Sequence, residues 1–398
     1  MITISERGKN MPSSPIRKLA SFADNAKKEG VKVYHLNIGQ PDIETPAVMM
    51  DAVSNAHLKV LEYTDSAGIL SFRKKLAGYY QSKEINVDYS DILITIGGSE
   101  GILFAFMACL DAGDEIIVPE PFYANYIGFA MAAGIKIIPI TSTIESGFAL
   151  PPIESFREKI TSKTKGIFIC NPNNPTGYVY SELELLQIRD LIKEKDLYLF
   201  SDEAYTEFCY DGIVKSTLTL EGVEDRVIMI DTFSKKYSAC GARIGALVTK
   251  NKAVIEAVMK FSQARLSPPT LEQIAAEAAL GLPADYFEAT RAEYKKRRDT
   301  LIGRLSKMEG VYCQSPQGAF YAMAKLPVAD TDAFCQWLLT SFRKDNATIM
   351  LAPASGFYTT PGLGKNEVRL AYVLNEQDIN AAMDCLEAGL KAYPHNIV

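Results

Sequence analysis

From Asp91 onward, short apolar runs recur at Ile92 to Ile96, Glu115 to Val118, Ile135 to Ile140, Lys165 to Cys170, Leu197 to Phe200, Val227 to Ile230 and Ala242 to Thr249. Between most of them, apolar positions return every three or four residues, the period of a helix with one buried face. Strand-length runs alternating with such helices predict a largely parallel sheet covered on both faces. One spacer marks its own start. Ser181 and Glu184 form a capping box, and Ile188, Leu191 and Ile192 then share one face.

The flanks read differently. The opening through Gly30 carries Pro12 and Pro15 and then a polar helical stretch, which reads as an arm leading into a strand at Val33 to Ile38. A turn at Tyr63 to Gly68 precedes a helix starting near Leu70. Beyond Pro283 a long polar helix is predicted from Ala284 towards Met308, with Lys295 to Arg298 as a solvated face. Strands near Val311 to Cys313, Ala319 to Ala324, Thr348 to Ala352 and Val368 to Val373, with helices between and after, predict a second, smaller α/β domain.

Composition narrows the function classes. A chain of 398 residues exceeds one ordinary core, and 47% hydrophobic with 23% charged residues is typical of a globular protein. No apolar run is long enough for a membrane span. Met1 to Asn10 lacks the apolar core and cleavage site of a secretory signal, so the cytoplasm is expected. The seven cysteines, Cys109, Cys170, Cys209, Cys240, Cys313, Cys335 and Cys385, include no CxxC pair and read as reduced thiols. A net charge of -6 gives no footprint for nucleic acid. The three histidines, His35, His57 and His395, stand apart without metal-ligand spacing, and structural or surface roles are expected.

The candidate chemistry lies where the predicted strands end, because open α/β sheets bind ligands there. After Val227 to Ile230 comes a hydroxyl-and-lysine cluster, Thr232, Ser234, Lys235 and Lys236, with Arg243 between Gly241 and Gly245. A lysine amine beside an anion-binding arginine suits Schiff base formation with a phosphorylated aldehyde, the way pyridoxal phosphate is held. Residue chemistry leaves Lys235 and Lys236 both open. Gly97-Gly98-Ser99-Glu100-Gly101, before a helix expected to begin near Glu100, makes a phosphate cup of free N–H groups. It is neither GxGxxG nor a Walker loop. Tyr123 closes another strand with a flat face for a planar ring. In Asn171-Pro172-Asn173-Asn174-Pro175-Thr176-Gly177, two prolines and a glycine fix the backbone around the Asn174 amide. Asp202, ahead of Tyr205, could keep a pyridine nitrogen protonated if buried against it. Arg369 sits within an apolar strand, where a charge is costly unless paired, so a bound carboxylate is its natural partner.

Ser234-Lys235 with Gly241-Ala242-Arg243-Ile244-Gly245, together with the NPNNPTG heptad and the Asp-Glu-Ala-Tyr run, resembles the signature of the class I and II aminotransferases. These are the fold type I pyridoxal phosphate enzymes, and the motifs fall in family order along nearly the whole chain. The resemblance implies that Lys235 carries the cofactor and acts as catalytic base, with Lys236 its solvent-side neighbour. It assigns the phosphate to Gly98, Ser99, Glu100, Thr232, where family members often have serine, Ser234 and Arg243. Tyr63 would reach the phosphate of a partner subunit, which implies a homodimer. Tyr123, Asn174, Asp202 and Tyr205 would hold the ring, and Gly39, Tyr123, Asn174 and Arg369 the substrate.

The same resemblance implies a three-layer cofactor domain over residues 47–283. Residues 284–398 then form the small domain, joined by an arm and part of that domain from residues 1–46. L-Aspartate with 2-oxoglutarate is the expected substrate pair, with Arg265 a candidate for the distal carboxylate. An aromatic or broad-specificity aminotransferase is the alternative, followed by a lyase or decarboxylase. A dehydrogenase is disfavoured by the missing dinucleotide fingerprint.

Overall fold

The structure, a computed structural model, describes residues 2–394; the reading of His395 falls outside them. After β1 (Lys32–His35), the central sheet takes β2 (Ile92–Ile96), β3 (Glu115–Glu120), β4 (Lys136–Thr141), β5 (Thr164–Cys170), β6 (Tyr198–Asp202), β7 (Val227–Thr232) and β8 (Ile244–Val248). Its order is β2-β8-β7-β6-β5-β3-β4. Neighbours are parallel except that β8 runs antiparallel to both β2 and β7. The carboxyl ends of β2 to β7 therefore meet at one edge, and β8 begins there. Ile96 pairs with Ile244, and Thr232 with Gly245. That reversal is what brings Arg243 to the strand ends.

Alternation along the strands fills two cores. Ile92, Ile94, Ile117, Ile167, Leu199 and Met229 pack on one face. Leu93, Ile116, Val118, Phe168, Phe200, Ile228 and Leu247 pack on the other, so helices cover both sides. The strand expected at Ala242 to Thr249 is shorter, because Cys240–Ala242 form a 3-10 turn and Arg243 takes a φ of +52°. The helix expected near Glu100 already starts at Gly97.

The remaining strands are β9 (Tyr312–Cys313), β10 (Tyr321–Lys325), β11 (Ala347–Met350), β12 (Ala352–Pro353) and β13 (Glu367–Ala371). β13 lies antiparallel between β12 and β10, and β1 runs parallel to β11. Leu36 stitches these together: its N–H donates to the Met350 carbonyl (3.0 Å), and its own carbonyl accepts from Ala371 (2.7 Å). Val368, Leu370 and Ile349 share a core with Phe334, Leu338, Ile379 and Leu386, joined by Leu19 and Ala23 from near the amino terminus.

The solvated-face expectation for Lys295 to Arg298 fails in its second half. Arg297 and Arg298 are buried along the helix Ala284–Leu305. Arg297 is held by Asp42 (2.5 Å) and Glu293 (2.7 Å), and Arg298 by Asp211 (2.7 Å). Asp42 and Asp211 from distant loops, with Glu293 one turn back on the same helix, supply the partners that make this burial tolerable.

Candidate active site

β7 ends at Thr232, whose hydroxyl accepts from the Ser234 N–H (3.2 Å) and so caps the short helix Phe233–Lys236. That turn sends the two lysines in different directions. Lys236 is buried, 2.5 Å from Asp231 Oδ2, which also accepts from Tyr80 Oη at 2.9 Å. Lys236 is thus no solvent-side neighbour: Asp231 draws it into the core. Lys235 is half-buried, with Nζ donating to the Gly39 carbonyl (2.8 Å) and lying 3.8 Å from Cys240 Sγ. Its amine carries no carboxylate in this contact and can be given up to chemistry, whereas that of Lys236 is locked.

Facing this loop is the start of the helix Gly97–Cys109, which has no side-chain cap. Its first N–H groups are open to an anion. Gly97 has a φ of +69°, and a Cβ there would fall 2.4 Å from Arg243 Nη2. A Cβ at Gly245 would fall 2.7 Å from the Gly97 carbonyl carbon. Both glycines are therefore required for the guanidinium and the helix start to meet. Arg243 Nη1 also donates to the Cys240 carbonyl (2.9 Å) and lies 3.5 Å from Ser234 Oγ. Gly98 and Ser99 are half-buried at this mouth.

Asp202 ends β6, fully inside the protein. Burial pushes its carboxyl pKa up, and the hydrogen bond from Tyr126 Oη (2.6 Å) works against that rise. Beyond β5, Asn174 donates to Tyr205 Oη (3.4 Å), which in turn lies 3.0 Å from Tyr321 Oη. A Cβ at Gly39 would fall 1.8 Å from Tyr321 Oη, so glycine is what lets Gly39 approach. The Tyr123 ring meets that of Tyr126 edge-on, with centroids 5.4 Å apart, and burial pushes its phenol up to about 12.

Arg369, on β13, closes the cluster. Its Nη1 donates to Asn174 Oδ1 (2.9 Å) and its Nη2 to the Asn37 carbonyl (2.6 Å), between the rings of Tyr321 (4.4 Å) and Phe357 (4.9 Å). Its Nε is buried without a partner. Burial lowers its pKa, and no carboxylate side chain is among these contacts. An orphaned donor on a buried cation is a receptor for an anion.

The contacts thus link Gly39, Asn174, Tyr205 and Arg369, and separately gather Ser234, Arg243 and the start of the Gly97 helix. They do not bring Tyr63 to these groups; it stands 78% exposed. The Glu100 carboxylate turns back to the Ile96 N–H (2.8 Å) and to Arg265 Nη1 (2.8 Å), so only its backbone faces the cup. Arg265 is correspondingly engaged and offers no free cation. The Thr232 hydroxyl is taken up by Ser234 and the Ile244 carbonyl. Sequence reasoning missed Tyr126, Tyr321 and Asn37. Tyr126, one turn beyond Tyr123, gave no sign that its hydroxyl meets a residue so distant in the chain. Asn37 lies two residues before Gly39, at the end of the strand expected at Val33 to Ile38.

A lysine, a buried carboxylate and an anion cup at the strand ends of a mostly parallel sheet define a pyridoxal phosphate enzyme of fold type I. The family model for aminotransferase class I and II matches residues 31–386, and the chain belongs to that family, whose members use pyridoxal phosphate. The chain is 33% identical over 389 residues to an aspartate aminotransferase of Thermotoga maritima, covering 96% of this chain and 98% of the relative. It is 31% identical to aromatic-amino-acid aminotransferase 2 of Thermococcus litoralis, over 98% of this chain and 99% of that one. The solved structure of an alanine aminotransferase from Pyrococcus furiosus superposes with a TM-score of 0.90 at 32% identity, over 98% of this chain and 100% of that one.

Proposed function

We propose that this aminotransferase exchanges the amino group of L-aspartate with 2-oxoglutarate, giving oxaloacetate and L-glutamate. Arg369 carries the reading: a buried guanidinium with an orphaned Nε, linked through Asn174 to Tyr205, suits the α-carboxylate of an amino acid. Aspartate is favoured by the names of several relatives near 30% identity. One observation favours an aromatic or broad substrate instead. Arg265, the candidate for a distal carboxylate, is committed to Glu100.

The residues fit pyridoxal phosphate. Lys235 would hold it, Asp202 would face the ring nitrogen, and Asn174 and Tyr205 the ring oxygen. Tyr123 would lie against the ring, and Gly98, Ser99, Ser234 and Arg243 would take the phosphate. When bound, the cofactor supplies the electron sink that makes the substrate α-proton acidic. Lys235 then moves that proton as general base, while Arg369 orients the substrate carboxylate and Asp202 keeps a proton at the ring nitrogen. Gly39 offers backbone close to the same carboxylate.

A homodimer is part of this reading. Val48, Met50, Leu58, Val60, Leu61 and Tyr63 are all exposed on one short stretch, a face that suits a second copy of the chain. Seven free cysteines support a reducing, cytoplasmic setting. No described helix is long and apolar enough to cross a membrane.

A screen of aspartate, tyrosine, phenylalanine and alanine as donors, with 2-oxoglutarate as acceptor, tests the proposal. Aspartate should give the highest kcat/KM. A clear preference for tyrosine or phenylalanine would replace it with the aromatic reading, and product formation without glutamate would point to a lyase.

A further inference from the structure

We infer that Arg265 is a positioning residue that ties the phosphate-binding start of the Gly97–Cys109 helix to the loop carrying Tyr63. The inference rests on the phosphate site and the homodimer proposed above. Arg265 ends the helix Lys252–Arg265, and its guanidinium spans two elements. Nη1 meets Glu100 Oε2 at 2.8 Å, in the first turn of the Gly97 helix. Nη2 donates to the Ser66 carbonyl (3.1 Å) and lies 3.5 Å from that of Ile94. Ser66 returns the tie, its hydroxyl donating to the Leu266 carbonyl (2.6 Å). Leu266 holds a φ of +85°, a conformation that a side chain adopts only where its surroundings impose it.

The charge on Glu100 gives this pair its consequence for the cofactor. Its Oε2 accepts the Ile96 N–H, so the carboxylate sits at the positive end of the same helix that is to receive a phosphate. Unneutralised, it would compete with that phosphate for the helix end. Arg265 cancels it from the far side, and both side chains are largely buried, at 12% and 14% exposure, where screening by salt is weak. The guanidinium fork also fixes the carbonyl of Ser66, and with it the loop that presents Tyr63 to a second subunit. One residue therefore serves two ends: neutralisation at the cup and geometry at the subunit face. A lysine could supply the first; only a fork supplies both.

The test uses four full-length proteins: wild type, Arg265→Met, Arg265→Lys and Arg265→Met/Glu100→Gln. Pyridoxal phosphate affinity is read by absorbance titration, and dimer dissociation of the cofactor-free proteins by sedimentation equilibrium. KM and kcat with the preferred donor are measured alongside. Arg265→Met should raise the cofactor Kd at least tenfold and weaken the dimer, with the donor KM within about twofold of wild type. Arg265→Lys and the double variant should recover most of the cofactor affinity but not the dimer. A general packing defect would not be reversed by Glu100→Gln. Loss of cofactor affinity in Arg265→Met that is largely restored in Arg265→Lys and the double variant, with a weakened dimer in all three, supports the inference. A folded Arg265→Met protein with wild-type cofactor and dimer constants overturns it. Selective loss of dicarboxylate substrates at unchanged cofactor Kd also overturns it and returns Arg265 to the substrate. A wild-type protein that binds no pyridoxal phosphate would instead defeat the functional reading itself.

Discussion

Tyr126 donates its phenolic hydrogen to Asp202 Oδ2 across 2.6 Å, with both groups buried. Burial favours the protonated acid, and this hydrogen bond opposes it by favouring the carboxylate in its charged form. Hydrogen bonds to charged groups contribute about 1.5–3 kcal/mol. Tyr126→Phe should therefore lower kcat by about tenfold or more and move the pH dependence of the bound cofactor's absorbance. A variant with unaltered turnover and an unaltered profile would leave Tyr126 with only its packing against Phe168, whose ring centroid is 4.4 Å away.

The same carboxylate gives the cofactor-free protein a pH signature. The folded-state pKa of Asp202 is raised, so the folded protein holds this proton more tightly than the unfolded chain. Its contribution to stability is fully present below the ordinary carboxylate value of about 4 and is lost as pH rises through the raised value. Asp202→Asn removes that dependence. The Tm of Asp202→Asn minus that of wild type should grow from pH 4 towards neutrality. Bound cofactor should shrink the difference by giving the wild-type carboxylate a cationic partner. A difference independent of pH in the cofactor-free proteins would sink this account.

Neighbouring lysines should show opposite phenotypes. Lys236→Met strands Asp231 in the core, and breaking a buried pair by removing one partner costs about 3–5 kcal/mol. Lys236→Met/Asp231→Leu should regain most of that loss. Lys235→Met should leave the denaturant midpoint near that of wild type while lowering turnover by about 10²–10⁴-fold or more, the scale of a general base. Equal destabilisation by both single variants would show that Lys235 also holds the fold together.

Much of this arrangement is legible in the sequence. The apolar runs placed the strands, and strand ends placed the loops, because period and length depend on nearby residues alone. The antiparallel course of β8 was not legible: a strand's direction is set by its pairing partners, here Ile96 of β2 and Thr232 of β7. Lys236 and Arg297 depart from the expected solvated positions for a related reason. Their charges looked solvated until Asp231 and Asp42 were brought to them by the fold. Tyr126 shows the limit most plainly, since its hydroxyl and Asp202 are 76 positions apart. What the sequence carried was residue type at the strand ends; what it lacked was which buried polar groups find one another.

Arg369 sets function against stability. The residue is 1% exposed, its Nε has no partner, and burial disfavours its charge. The hydrogen bonds to Asn174 and Asn37 and the contacts with two rings offset part of that cost, but none supplies a negative charge. In the substrate-free protein, Arg369→Met should therefore raise stability by about 1 kcal/mol or more, as when buried charges give way to apolar groups of similar size. With substrate the order should invert. Loss of a buried carboxylate partner costs about 2–5 kcal/mol, so the KM for amino acid and oxo acid should rise by about 30-fold or more. Thermal melts with and without 2-oxoglutarate check both halves: the ligand should raise the Tm of the wild type but not of the variant. A variant less stable than wild type without ligand would mean that the guanidinium's hydrogen bonds outweigh the penalty of its burial, and Arg369 would then be a structural residue that also meets substrate.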